Sequence, residues 1–352
     1  MKSRVLTFAA AATLLLSACS SGGQPETSPS TSPAATSSTP AAGDSPAAGT
    51  LNVSVAFYPI EFAATAVGAD RITVTSLTTP GAEPHDLELT PQQVAGLDEA
   101  DLVVYLKGFQ PAVDEAVEAS KAKHKLDLAT VIELHPLSDN GHGHDHDHDG
   151  KDDHGHDHEG EKGHDDHATE EGHDDHDHGG VDPHYWLDAT LMARSVEAIA
   201  GELGTIDAAN KATYEANAKS TVAELTSLDE EYKKGLGSCQ VKTVITTHAA
   251  FGYLTERYGL EQVGISGLSP NEQPSPARIA EVQEEAKEHN VTTIFFETLT
   301  SPEVAQSIAG DLGLKTAVLD PLEGVTPDSP GTDYPSIMKA NLKALQEANG
   351  CS

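Results

Sequence analysis

Residues 207–234 read DAANKATYEANAKSTVAELTSLDEEYKK, and within them Tyr214, Ala218, Val222, Leu225, Leu228 and Tyr232 recur three or four positions apart. That spacing lines up one apolar stripe on a single helix. Asp207 stands where an N-cap belongs, and about 27 residues at 1.5 Å each make a rod of roughly 40 Å. A helix of that length can run beside two lobes as a stiff spine. We assign 207–236 to it.

The same alternation of elements stands on both sides of the spine. Upstream, 51–57, 72–77 and 101–106 (DLVVYL) are short strand-like runs, and helix-like stretches cover 60–67, 91–99 and 111–122. Thr90 followed by Pro91 makes a good N-cap and first-position pair for the middle helix. Downstream, strands are expected at 241–247, 262–265, 291–297 and 316–319, with helices at 249–258, 276–289 and 302–312. Strands alternating with helices imply parallel sheets. The predicted fold is therefore α/β: two Rossmann-like (β/α) lobes, 51–206 and 237–352, joined by a long rigid helix.

The start of the chain speaks of export. Lys2 and Arg4 precede an apolar run over 5–16, and Leu16-Ser17-Ala18-Cys19 has the small residues of a cleavage site, so 1–18 reads as a signal peptide. Its apolar run is too short to span a bilayer. The Leu-Ser-Ala-Cys string is also similar to the lipobox of bacterial lipoproteins, and that resemblance implies acylation of Cys19. Residues 19–50, rich in Ser, Thr, Pro and Ala, have little to bury and read as a disordered tether. With Cys19 acylated, Cys239 and Cys351 remain as an even pair in an exported chain, and we expect a disulfide between them. The formal charge is −35, and it becomes about −37 once Lys2 and Arg4 are cleaved away, which excludes nucleic acid as a partner.

Twelve of the eighteen histidines fall in 141–180: His142, His144, His146, His148, His154, His156, His158, His164, His167, His173, His176 and His178. Fifteen Asp and Glu accompany them, and Ala168 is the one apolar side chain there. Such a segment cannot fold around a core, and 139–180 reads as a disordered loop in the first lobe. Its composition is that of an auxiliary, weak metal-binding loop.

Six histidines lie outside that tract. His124 and His289 sit in charged helix ends, and His135 precedes Pro136 at the tract's entrance; none of the three is assigned a role. His85 lies in the loop PGAEPHD after the second strand, and His184 lies in DPHYWLD just before a helix. His248 directly follows the 241–247 strand, and Asp320 ends another strand in VLDPL. Open α/β sheets place ligands in such loops. Three imidazoles and one carboxylate would satisfy a tetrahedral zinc ion, with two donors from each lobe and the metal in the interlobe cleft. Glu297, at the end of the strand TTIFFE, can accept a hydrogen bond from a ligand histidine and fix its tautomer. Phe57, Tyr58 and Trp186 are candidates to line the cleft.

The strings PGAEPHDLELTP, DPHYWLD, VITTHAAFGYL, PSPARIAEVQEEAKEHNVTTIFFE and VLDPL resemble those of the zinc/manganese family of ABC-transporter solute-binding proteins. The similarity runs over nearly all of 51–349 and is interrupted only by the histidine tract. Matched motif to motif, the resemblance implies His85, His184, His248 and Asp320 as metal ligands, and two lobes on a rigid helix. Manganese relatives usually carry a glutamate at the third position, so His248 favours zinc. Some zinc relatives have a glutamate just before the first histidine, where this chain has Pro84.

The resemblance thus implies a lipid-anchored monomer on the extracytoplasmic face of the bacterial membrane. It would capture Zn²⁺ with high affinity and deliver it to an ABC permease, without catalysis. Binding requires neutral histidines, so affinity should fall as pH drops through roughly 6.5. The alternatives are a manganese- or iron-binding member of the same family, a surface metal buffer or adhesin with no transporter, and a zinc hydrolase.

Overall fold

The computed structural model describes residues 50–136 and 180–352. The signal peptide, Cys19, the tether before residue 50 and all twelve tract histidines lie outside the described residues.

In the first lobe the chain runs β1 (Leu51–Val55), α1 (Tyr58–Gly68), β2 (Ile72–Ser76), α2 (Pro91–Glu99), β3 (Leu102–Tyr105), α3 (Pro111–Ala119) and β4 (Lys125–Asp127). All four strands are parallel, in the order β2-β1-β3-β4. Leu102, Val103 and Val104 are fully buried, as expected of a strand covered on both faces. Strand β4 escapes the sequence reading because Leu126 is its one apolar residue; pairing of Val103–Tyr105 with Lys125–Asp127 creates it. Helix α2 begins as its sequence predicts. The Thr90 hydroxyl accepts from Gln93 N–H, the Gln93 side chain returns to the Thr90 amide, and Pro91 needs no partner for the donor it lacks.

Two helices follow, α4 (Ala189–Ile206) and α5 (Lys211–Leu236), folded back on each other through a short turn. The 26-residue α5, about 39 Å long at 1.5 Å per residue, is the expected spine. Its start is corrected from Asp207 to Lys211. Asp207 instead closes the turn: Oδ2 accepts from Asn210 Nδ2 at 2.6 Å and from Tyr214 OH at 2.9 Å. The early part of α5 serves the first lobe, where Asn217 Nδ2 donates to Val67 O. Farther along, Tyr232 donates to Met338 O at 2.6 Å and its ring stacks on Tyr258 at 5.0 Å, both in the second lobe.

The second lobe repeats the plan with β5 (Thr243–Thr246), α6 (Gly252–Tyr258), β6 (Glu261–Gly264), α7 (Pro276–Glu288), β7 (Thr293–Phe296), α8 (Glu303–Leu312), β8 (Lys315–Val318) and α9 (Tyr334–Asn349). Its parallel strands run in the order β6-β5-β7-β8. Helix α9, which the sequence reading did not identify, opens on a reciprocal Asp333–Ser336 cap and buries Ile337, Met338, Leu342 and Leu345. It ends at Gly350 with φ +61°, a left-handed turn that a glycine adopts without steric cost. That turn brings Cys351 beside Cys239, and the expected disulfide joins them. The bridge fastens the last helix to the end of the spine.

The core of the first lobe continues without a break through Trp186 and α5 into α9, while a second core lies under α7 and α8. Trp186 is fully buried, donates from Nε1 to Pro321 O at 2.7 Å, and receives Tyr334 OH on its own carbonyl at 2.6 Å. These contacts tie the first lobe to the second beside the segment that carries His184.

The cross-link closes a loop with a sequence separation of 112. Cys239→Ser/Cys351→Ser should therefore lose roughly 2–5 kcal/mol of unfolding free energy, because the open chain regains the entropy the bridge removes. Urea unfolding of the two proteins measures this, and coincident curves would contradict it.

Candidate metal centre

Loops at the carboxyl ends of β2, β5 and β8, and the segment leading into α4, converge on one buried point. His85 arrives on the loop after β2. Gln110 Nε2 holds that loop by donating to Pro84 O at 3.0 Å and to Thr78 Oγ1 at 3.1 Å, and Glu83 Oε1 accepts from His85 N–H at 3.0 Å. Phe109 sets its ring edge-on against the imidazole, with centroids 4.8 Å apart. His184 arrives through Asp182-Pro183, and Asp182 Oδ1 accepts from both its backbone N–H (2.9 Å) and its Nδ1 (2.8 Å). His248 follows β5, and its carbonyl accepts from Thr246 Oγ1 and Gln262 Nε2.

The fourth group is Glu323. Its Oε1 lies 3.2 Å from His85 Nε2, 3.1 Å from His184 Nε2 and 3.3 Å from His248 Nε2, and the Nε2 atoms of His85 and His184 are 3.4 Å apart. All four donor atoms fall within 4.8 Å of one another. A tetrahedral zinc with ligands at 2.0–2.1 Å has vertices about 3.3 Å apart. These four separations match that edge. Among the described residues this is the one group of three or more histidine, cysteine or carboxylate side chains so arranged. All four are buried, none more than 4 % exposed.

Asp320, expected as the fourth donor, does not stand in this group. Its Oδ1 accepts from Leu322 N–H at 2.8 Å and its Oδ2 from Thr298 Oγ1 at 3.1 Å, while Asn341 brackets its backbone N–H and carbonyl. The carboxylate is spent on building a turn. It holds Leu322 at φ +61°, a left-handed conformation unusual for a side chain that size, and the next residue swings into the cluster. The acid that stands with the histidines, Glu323, lies three positions beyond Asp320 in the same loop. An Asp before Pro is a common turn former, and Glu323 is the acid that follows the turn.

Glu297 stands behind His248. Its Oε1 is 2.9 Å from His248 Nδ1 and accepts from Thr247 Oγ1 at 2.9 Å. Asp182 does for His184 what Glu297 does for His248, a role that sequence reading missed. A carboxylate can only accept, so both Nδ1 atoms carry a proton and both Nε2 atoms face the cluster. Phe57 and Trp186 wall the site rather than line an open cleft. Both are fully buried, with rings 4.9 Å apart, and Trp186 packs 5.2 Å from His184. His135, unassigned from sequence, stacks on Tyr253 of α6 at 4.0 Å.

The electrostatics follow from these contacts. Burial pulls the His248 imidazolium down, but Glu297 and Glu323 outweigh it and hold the group well above its ordinary value. His184 is likewise lowered by burial and raised on balance by Asp182 and Glu323. For His85 burial wins and the shift is downward. Glu323 is disfavoured by burial yet held well below the usual carboxylate range by the imidazoles of His248 and His85. Glu83, beside the cluster, is pushed up to about 8 by burial and by the charge of Glu323.

A family described as zinc-uptake complex component A, periplasmic (ZnuA), matches residues 53–348. The chain is 36% identical over 304 residues to the high-affinity zinc uptake system protein ZnuA of Bacillus subtilis, covering 85% of this chain and 87% of that one. It is 33% identical over 305 residues to the zinc-binding lipoprotein AdcA of Streptococcus pneumoniae, where the match covers 85% of this chain and 56% of AdcA. The chain thus spans little more than half the length of that relative. Among solved structures, the Zn(II)-bound ZnuA-like domain of S. pneumoniae AdcA superposes with a TM-score of 0.66 at 32% identity, covering 86% of this chain and 99% of that domain. The laminin-binding protein Lmb of Streptococcus agalactiae, described as having adhesin and metal-transporting activity, superposes at 0.68 with 30% identity, covering 85% and 99%. With two parallel-sheet lobes, a buried three-histidine cluster and a family match over nearly the whole described chain, this protein belongs to the zinc-uptake complex component A family.

Proposed function

We propose that this protein captures Zn²⁺ outside the cytoplasm with high affinity, in a site made by His85, His184, His248 and Glu323, and delivers it to an ABC permease. The observation that carries the reading is the gathering of four buried donors, three of them imidazole, within 4.8 Å of one another, with four of their separations at 3.1–3.4 Å. That donor set suits zinc over manganese, which prefers oxygen ligands. Four protein donors fill a tetrahedral ion and leave no position for an activated water, so the site binds without hydrolysing. Cys19 is the proposed lipid anchor, and the tract over 141–180 a fast-exchanging collector of zinc. The resemblance to Lmb also keeps adhesion in view as a second role. Binding of the purified protein to immobilised laminin, with and without zinc, tests that separately.

Zinc stoichiometry under chelator competition tests the main reading. The full chain and a 141–180 deletion should each hold one tight zinc, and His248→Ala should lose most of that affinity. Retention of tight zinc by His248→Ala but not by the deletion would move the primary site into the tract.

A second comparison separates the two neighbouring acids. Glu323→Gln removes the anionic donor and should weaken zinc binding by at least tenfold, whereas Asp320→Asn keeps an oxygen acceptor for Leu322 N–H and should change it far less. The reverse order would restore Asp320 as the ligand.

Zinc must displace the protons held at Nε2 when the site is empty. His184 and His248 are raised above their ordinary value near 6.5, so they are protonated over a wider range and compete with zinc to higher pH. Apparent affinity should rise with pH and begin to fall already above 6.5 as pH drops, earlier than ordinary histidines would predict. Calorimetry in buffers of different ionisation enthalpy at pH 7 should record net proton release; none released would contradict the assignment.

A further inference from the structure

The segment that delivers His184 is gripped from the opposite lobe, and this grip extends beyond the ligand assignment. Residues 135–136 and 181–182, the two stems flanking the histidine tract, pair in antiparallel fashion: Pro136 bridges Val181, and Asp182 N–H donates to His135 O at 2.9 Å. Both stems belong to the first lobe. Both are held by one hydroxyl of the second: Tyr253 OH, on α6, accepts from His135 N–H at 2.7 Å and donates to Asp182 O at 2.8 Å. The Tyr253 ring stacks on His135 at 4.0 Å, and His135 Nδ1 stands 3.3 Å from Glu256 Oε2 on the same helix. One residue before Tyr253, Gly252 leaves the space that Asp182 occupies. A Cβ there would stand 2.9 Å from Asp182 Oδ2. Asp182 is therefore fixed through its amide, its carbonyl and its side chain, and its Oδ1 is the atom that orients the His184 ring.

We propose that Tyr253 and Gly252 of α6 are positioning residues for zinc: acting through Asp182, they hold the His184 imidazole in its ligating orientation only while the two lobes are in contact. The proposal rests on His184 being a zinc ligand. It adds that one of the first lobe's two histidines is made ready by the second lobe, so loosening of α6 from the stems would release His184 first. The Tyr253 hydroxyl bonds to the two stems, at His135 N–H and Asp182 O, and its hydroxyl and ring can be altered separately.

The test measures zinc affinity by chelator competition and the visible spectrum of the Co²⁺-loaded protein, which reports ligand geometry. Tyr253→Phe keeps the stacked ring and loses the hydroxyl; it should weaken zinc binding on the order of tenfold, as loss of a partner behind a ligand does, and shift the cobalt bands. Gly252→Ala should act in the same direction. In an Asp182→Ala background, Tyr253→Phe should add nothing, because the route to His184 is already cut. Tyr258→Phe, which removes an α6 hydroxyl bonded to Asp229 at 3.1 Å, should match the wild type and controls for a general loosening of the helix. Wild-type affinity and spectrum in Tyr253→Phe, or effects that add fully to those of Asp182→Ala, would overturn the proposal while His184→Ala still abolishes tight binding. Tight binding retained by His184→Ala would overturn both it and the site on which it rests.

Discussion

One carboxylate oxygen, Glu323 Oε1, stands within 3.3 Å of three imidazole nitrogens carried by both lobes. A buried anion costs several kcal/mol unless opposite charge and hydrogen bonds offset it. Here His248 and His85 supply the offset, and Glu323 stays ionised although nothing of it is exposed. The imidazolium of His248 is stabilised in turn by Glu297 and Glu323. Protons and zinc therefore compete for the same imidazole nitrogens, and exchange of one against the other is built into the donor set.

For that contact to form, four separate loops must arrive within a few tenths of an ångström, and the architecture around them provides this. Both sheets have the same strand order and direct their carboxyl-end loops toward the cluster. Helix α5 packs first on α1 and α4, then on α9 and α6, so the lobes share one rigid element. Trp186 fills the seam, with Phe57 and Phe109 at 4.9 and 5.6 Å and its indole N–H on Pro321 O. Pro321 itself lies between Asp320 and Glu323. The packing that joins the lobes therefore also seats the turn that delivers the carboxylate.

Much of the fold was legible because its elements carry their own signals. The strand at 243–246 is wholly buried and those at 51–55 and 102–105 are β-rich runs with three buried residues each, and α2 announces itself with Thr90 and Pro91. Elements whose stability comes from neighbours left no such mark. Strand β4 is Lys-Leu-Asp and exists through its pairing with β3. Helix α9 mixes buried Asn341 and Asn349 with its apolar positions, and both asparagines are satisfied by distant backbone groups. Asp207 has the chemistry of a cap, but three residues of turn intervene before α5 begins, and its carboxylate is taken by Asn210 and Tyr214.

By itself the sequence determined the class of fold, the family, and three of the four clustered side chains, His85, His184 and His248. Those histidines stand in loops whose flanking strands and prolines are local features. It also offered Glu297 as an acceptor for one of them, which the structure shows to be His248. Only the tertiary structure put Glu323, rather than Asp320, beside those histidines, and brought Asp182, Tyr253 and Gly252 together behind His184. The reason is geometric: whether a carboxylate three residues along a loop faces a metal or a backbone amide depends on the left-handed turn at Leu322 and on Asn341, 21 positions from Asp320. No spacing within VLDPLEG carries that information.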